Sequence, residues 1–178
     1  MTFIAESKVS SAACAMYYSA GDDIDLSVGY TVKPQSVKTW GKSGNWSYNS
    51  TTGLFSLSNS HNYLIEADLY VGKIKGAAAL AGSVISMLTD GSGNEIADSC
   101  RGLSMFLRAD TYYDSFRKVT DQTNFAVVDG ASVTSFYWKV ESIELDSSST
   151  IRLNYTEGNG EGTYGVCDSR LVIREYPK

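Results

Sequence analysis

A single imidazole, His61, limits the nucleophilic chemistry open to this chain. Serine- and cysteine-type hydrolases hold a base between a nucleophile and a third, orienting group. The flanking Ser60 and Asn62 are too local to build that frame, so His61 reads as a solvated turn residue. The run Asp90-Gly91-Ser92-Gly93-Asn94 carries oxygen donors at the first, third and fifth positions of a calcium loop. Glu95, however, stands where that loop needs glycine and Arg101 where it needs a bidentate glutamate. A hairpin turn is the better reading. Asp22, Asp23 and Asp25 gather carboxylates that repel one another in solvent. Glu66 and Asp68 would share one strand face about 7 Å apart. A carboxylate pair is the minimum for glycoside hydrolysis, but nothing else in the chain suggests a sugar-cleaving groove. Gly41-Lys42-Ser43-Gly44 has the letters of a phosphate loop without its spacing or a following helix. No catalytic residue, cofactor site or metal ligand is therefore expected, and the chain reads as non-enzymatic.

Two further sets of residues invite a role. Trp40, Trp46 and Tyr48 lie between short polar residues, where aromatic rings either stack on sugars or cover strand ends. Cys14, Cys100 and Cys167 are odd in number and widely spaced, with no CxxC pair, and are expected as buried reduced thiols. N-x-S/T sequons at Asn45, Asn49 and Asn154 fit an Asn/Ser/Thr-rich composition.

The elements that must position these residues are strands. From Tyr63 through Ile65, Ala67 and Leu69 to Val71 every second residue is apolar, while Leu64, Glu66, Asp68 and Tyr70 fall on the other face. Phe55 and Leu57 alternate before it, and Ser58-Asn59-Ser60-His61-Asn62 supplies a polar connection, so Gly53 to Gly72 is expected as a β-hairpin. Val84 to Thr89 and Glu95 to Arg101 flank the 90–94 turn. Leu103 to Ala109, Phe136 to Leu145, Ile151 to Tyr155 and Arg170 to Tyr176 add further strands. Lys73 to Ser83 and Ala109 to Asp121 are left for short helical or irregular inserts. Seven or more strands separated by turn signals make an all-β sandwich.

Composition agrees. The 178 residues are 43% hydrophobic and 12% aromatic, with only 2 prolines, enough for one domain with its own core. A net charge of −5 and no Lys/Arg cluster argue against nucleic acid. Glu6 and Lys8 interrupt the apolar run a signal peptide requires. The most apolar run, Ala77 to Leu88, falls short of the roughly 20 residues that span a bilayer. Neither export by that route nor membrane insertion is expected.

The order of the motifs resembles one family. The segment YNSTTGLFSL, residues 48–57, leads through a turn into Tyr63-Leu64-Ile65-Glu66-Ala67, and this resembles the central hairpin of C1q/TNF-like jelly rolls. Met16-Tyr17-Tyr18-Ser19-Ala20 is similar to the family's first strand. Ser142-Ile143-Glu144-Leu145-Asp146 with Thr150-Ile151-Arg152-Leu153 is similar to the strand pair near its end, and Ser169-Arg170-Leu171-Val172-Ile173-Arg174-Glu175 to its closing strand, which in phage members often holds Ser-x-Leu-x-Ile. The resemblance covers residues 16–178 and leaves residues 1–15 as an N-terminal arm. Ser58 to Asn62 lacks the Pro-Gly usual before the family's tyrosine, Lys73 to Ser83 is longer and richer in Ala and Gly, and no Gly-X-Y stalk is present. The resemblance implies a jelly-roll β-sandwich that assembles as a homotrimer. Leu64 and Tyr70, on the face opposite Ile65 and Leu69, are more apolar than a purely solvated face requires and are the residues expected at the subunit interface. The resemblance further implies a bacteriophage structural protein, a virion knob made in the host cytoplasm that decorates the capsid or heads a tail fibre. Its partners would be the major capsid protein or other virion proteins. The alternative is a lectin-like head reading a host surface glycan or receptor through Trp40, Trp46 and Tyr48.

Overall fold

The computed structural model describes residues 13–19, 24–40, 44–73, 81–108, 116–145, 151–153 and 169–178. Their strands are β1 (Cys14–Ser19), β2 (Ile24–Asp25), β3 (Ser36–Trp40), β4 (Trp46–Asn49), β5 (Leu54–Leu57), β6 (His61–Asp68), β7 (Val71–Lys73) and β8 (Ala81–Asp90). The second half adds β9 (Gly102–Arg108), β10 (Phe116–Gln122), β11 (Asn124–Asp129), β12 (Ser135–Leu145), β13 (Ile151–Leu153) and β14 (Ser169–Pro177). A five-stranded sheet runs β11-β6-β14-β1-β3 and a six-stranded sheet β10-β9-β8-β12-β5-β4, while β2, β13 and β7 form a small third sheet. The strand pairs of both large sheets are antiparallel, which makes the chain an all-β sandwich.

The core follows from alternation. On β14, Leu171, Ile173 and Glu175 point inward and Arg170, Val172 and Arg174 outward; on β6 the inward set is Tyr63, Ile65 and Ala67. The six-stranded sheet meets them with Phe55, Phe136, Trp138, Val84 and Leu88, all without solvent contact. Phe55 is the hub: it stacks on Phe136 with ring centroids 4.7 Å apart and on Tyr48 at 4.4 Å, and takes Tyr17 edge-on at 4.9 Å. Such ring pairs add about 0.5–1.5 kcal/mol each beyond the area they bury.

A buried asparagine joins the two layers. Asn124, buried on β11, donates from Nδ2 to Ser86 Oγ of β8 (2.6 Å) and to the Ala67 carbonyl of β6 (3.3 Å), and accepts the Gly102 amide of β9 at Oδ1 (2.9 Å). Gly102 leaves room for it, because a Cβ there would lie 2.4 Å from Asn124 Nδ2.

Three expectations are corrected. Gly53 to Gly72 is not a hairpin: β5 belongs to the six-stranded sheet and β6 to the five-stranded one. A crossing connection presents Phe55 and Leu57 to the core from one side and Tyr63, Ile65 and Ala67 from the other. Alternation alone does not distinguish this from a hairpin. The Tyr63 hydroxyl fixes the crossing, accepting the Ser58 amide (3.0 Å) and donating to the Asn45 carbonyl (2.8 Å). Glu95 to Arg101 is not a strand; after the turn it touches β8 only through the Thr89–Glu95 bridge and the Ile96 amide, and pairing resumes at β9. Phe116 to Asp121, left for an insert, lies in β10, and 74–80 and 109–115 lie outside the described residues.

Candidate functional site

Direct pairing in an antiparallel sheet puts partners on one face, so the outward face of the five-stranded sheet can be read row by row. One row runs Val127, Leu64, Arg174, Cys14, Trp40; the next runs Phe125, Glu66, Val172, Met16, Lys38. The most open apolar residues of these two rows lie at the edges, Val127 (65%) and Phe125 (38%) on β11 and Trp40 (41%) on β3, while the exposed Tyr176 stands on the same face near the end of β14. Leu64, Val172, Met16 and Cys14 between them are half-buried. An apolar band thus crosses the face of a chain whose net charge is −5, a pattern that marks interaction surfaces.

The two arginines that β14 sets on this face are already paired. Arg174 Nη1 donates to Glu66 Oε2, and Arg170 Nε donates to Asp68 Oδ2 at 2.9 Å; Thr123 Oγ1 donates to the other Asp68 oxygen at 2.6 Å. Glu66 and Asp68 do share a face, as the alternation requires, but each carboxylate is committed to an arginine of β14. At the rim, Asp129 takes Lys178 Nζ and the Ala131 amide, and the lysine holds its carboxyl below the usual range.

Leu64 stands on this face as expected. Tyr70 lies beyond the end of β6, half-buried, where Ser169 Oγ accepts from its amide (2.8 Å) and donates to its carbonyl (3.3 Å). The three proposed ligand aromatics are separated. Trp46 and Tyr48 sit on β4, at the edge of the other sheet, packed on the core. Trp46 Nε1 donates to Tyr17 Oη (2.7 Å), and Tyr48 Oη donates to the Pro34 carbonyl (2.8 Å). Burial, with smaller contributions from the nearby phenols of Tyr17 and Tyr30, pushes the Tyr48 pKa up to about 12. Only Trp40 of the three is open, with Lys38 Nζ 5.3 Å from its ring; no shared platform of these rings exists.

His61 opens β6 rather than sitting in the turn before it, and is half-buried. Its Nδ1 lies 2.8 Å from Ser60 Oγ and its Nε2 3.7 Å from Glu175 Oε1. Ser, His and Glu fall in one line, but Ser60 is the imidazole's chain neighbour. Both Glu175 oxygens are taken, Oε2 by the Asn45 amide and Oε1 by Asn45 Nδ2 at 2.9 Å. The cluster fastens β14 to the start of β4 across one end of the sandwich. Sequence reasoning missed Glu175; the signal was a carboxylate in the inward series of Leu171 and Ile173, a place that requires partners.

The Asp90 loop is a turn. Asp90 Oδ1 accepts the Ser92 and Asn94 amides, both at 2.9 Å, and Oδ2 accepts Asn94 Nδ2 at 3.2 Å. These bonds lower the carboxyl's pKa, led by those from Asn94. Arg101 forks onto Glu95 at 3.0 and 2.9 Å and reaches Glu141 at 2.8 Å. Among the described residues no group of three or more His, Cys, Asp or Glu side chains is placed to hold a metal. Asp22, Asp23, Gly41 to Ser43 and Asn154 lie outside the described residues, as does Cys167. The cysteines correct a further expectation: Cys14 is half-buried and Cys100 exposed, because each falls on an outward or loop position.

No protein-family model matches the chain, and no curated protein matches it.

Proposed function

We propose that this chain is a non-enzymatic structural subunit of a bacteriophage virion, a jelly-roll knob that assembles as a homotrimer and decorates the capsid or heads a fibre. The observation that carries the reading is the path of the chain between the sheets. It passes from β5 to β6, from β10 to β11, from β11 to β12 and from β12 towards β14, changing sheet each time. Strands distant in sequence thereby become neighbours, as β6 with β14 and β12 with β5; Greek-key connections in a double-sheet jelly roll bring strands together in the same way, which supports the reading. The resemblance of residues 16–178 to C1q/TNF-like domains, with Ser169-x-Leu171-x-Ile173 in the closing strand, supports the virion assignment.

Self-association is supported by the outward face of the five-stranded sheet. Its apolar band invites burial, and its arginines already hold their carboxylates, so enclosing them strands no lone charge. The carboxylates Glu66, Asp68 and Asp129 are matched there by the cations Lys38, Arg170 and Arg174, so copies of an acidic chain meet without net repulsion. Sedimentation equilibrium is expected to return the mass of three chains, and the mass of one overturns the trimer. Mass spectrometry of purified particles is expected to find the chain in stoichiometric amount; particles without it overturn the virion assignment.

A further inference from the structure

Resting on the virion reading, we propose that the chain docks by strand addition: the open edge of β3 takes an extended, acidic segment of another virion protein as a further strand of the five-stranded sheet. The hydrogen-bond phase of that sheet fixes which backbone groups are available. The Glu175 amide donates to the Ala13 carbonyl (3.0 Å), so Ala13, Ala15 and Tyr17 turn their backbone groups to β14, and Cys14, Met16 and Tyr18 turn theirs to β3. Trp40, Lys38 and Ser36 are the partners there. Val37 and Thr39 therefore point their N–H and C=O groups away from β1, and among the described residues nothing pairs with them. The same alternation, carried across β6, turns the Phe125 groups outward on β11, where the Cys100 carbonyl and amide meet them at 3.2 and 2.7 Å.

The chemistry of this edge selects its occupant. β3 has five residues, all exposed, and pairs with β1 in one unbroken register. β11 by contrast is capped at Phe125, β10 is broken by a register shift between Lys118 and Asp121, and β4 carries no charge with which to choose a partner. Val37 stands on the inward side of the sheet, opposite the buried Tyr17, yet is 54% exposed, so an apolar residue on an added strand extends the core beside it. Lys38 and the nearby Lys33 meet no carboxylate among the described residues, in a chain whose net charge is −5. A carboxylate across from Lys38 completes an opposite-charge pair. A second copy fits less well. The two-fold register that satisfies both Val37 and Thr39 within β3 sets Lys38 directly opposite the same lysine of the other copy, where like charges repel.

Proline at the outward positions tests this. Val37→Pro and Thr39→Pro each remove an amide that β1 does not use, so the β1–β3 pairing survives, whereas Val37→Thr keeps the amide. Virions produced without this chain and mixed with the purified protein are expected to take up the parent and Val37→Thr alike. Val37→Pro, Thr39→Pro and Lys38→Glu are expected to bind about tenfold more weakly or worse, with circular dichroism and sedimentation mass unchanged. Lys38→Glu at parental affinity overturns the acidic partner. Amide hydrogen exchange gives a second reading on the unaltered protein. In the dilute free chain the Val37 and Thr39 amides are expected to exchange fast and those of Lys38 and Trp40 slowly, and on the particle all four are expected to be slow. Val37 and Thr39 amides already slow in the dilute chain, or slowed by raising its concentration, overturn the proposal, since a segment of this chain or a second copy then holds the edge. If the parent is taken up and the proline variants bind equally well, the strand addition falls and the virion reading stands. If the parent is not taken up, both fall.

Discussion

Asn124→Ala removes a buried side chain that hydrogen-bonds across both sheets, and its cost can be worked from the three contacts it breaks. The substitution strips the Gly102 amide of its acceptor and deprives Ser86 Oγ and the Ala67 carbonyl of a donor, at a site with no solvent contact. A typical hydrogen bond contributes about 0.5–1.5 kcal/mol net, and a buried donor left unsatisfied costs about 1–3 kcal/mol. Ser86 can rotate its hydroxyl, and the Ala67 bond at 3.3 Å is the weakest, so the Gly102 amide dominates. The expected loss is about 3–5 kcal/mol, a fall in melting temperature of roughly 6–20 °C for a chain of this size. Urea unfolding followed by tryptophan fluorescence measures it, with variant and parent at one protein concentration because assembly shifts apparent stability. Asn124→Asp keeps the acceptor for Gly102 but buries a carboxylate with both donors gone, so its deficit is expected to shrink as pH falls and the acid protonates. Adding Ser86→Ala to Asn124→Ala is expected to cost less than the two losses summed, since the serine has already lost its partner. A loss below about 1 kcal/mol for Asn124→Ala refutes the reasoning, for it would mean that the amide finds another acceptor or water on its own.

Phe55→Ala empties the centre of the aromatic cluster and is expected to cost about 3–5 kcal/mol, read by the same unfolding curves; a loss under 1 kcal/mol would show that Tyr48 and Phe136 close the gap. His61→Ala is expected to change stability by under 1 kcal/mol at pH 7, because Glu175 keeps both bonds from Asn45. Asn45→Ala should be the more damaging of that pair, and the reverse order would mark the imidazole as the fastening. Tyr48 gives a pH dependence. Its folded-state pKa of about 12 lies above the ordinary phenol value near 10. The stability it confers is therefore full below about pH 10 and declines as pH rises towards 12. Alkaline unfolding followed at the phenolate absorbance is expected to show this decline, smaller in Tyr48→Phe; an unchanged profile counts against it.

Several elements were legible because one residue's neighbours decide them. The inward series Tyr63, Ile65, Ala67, Leu69 and the outward position of Leu64 follow from period two alone, as do the long β12 and the closing β14. The Asp90 turn was legible too, since its glycines and Asx side chain act within five residues. β3 was not: all five of its residues are exposed, so no alternation marks it, and it exists because β1 offers an edge. β11 alternates well, as Asn124, Ala126 and Val128 against Phe125, Val127 and Asp129, but an asparagine and an alanine in its buried series disguised it.

By itself, then, the sequence determined an all-β chain, the residues of its core, and the face on which Leu64, Glu66 and Asp68 stand, because alternation is a local property written in consecutive residues. Only the tertiary structure decided that β5 and β6 part into different sheets. It also decided that Trp46 and Tyr48 turn into the core while Trp40 stays open, and that Glu66 and Asp68 meet arginines more than a hundred residues away. Those outcomes depend on which strand edges and side chains meet across the fold. Two strands with the same alternation are interchangeable until the core they share is closed.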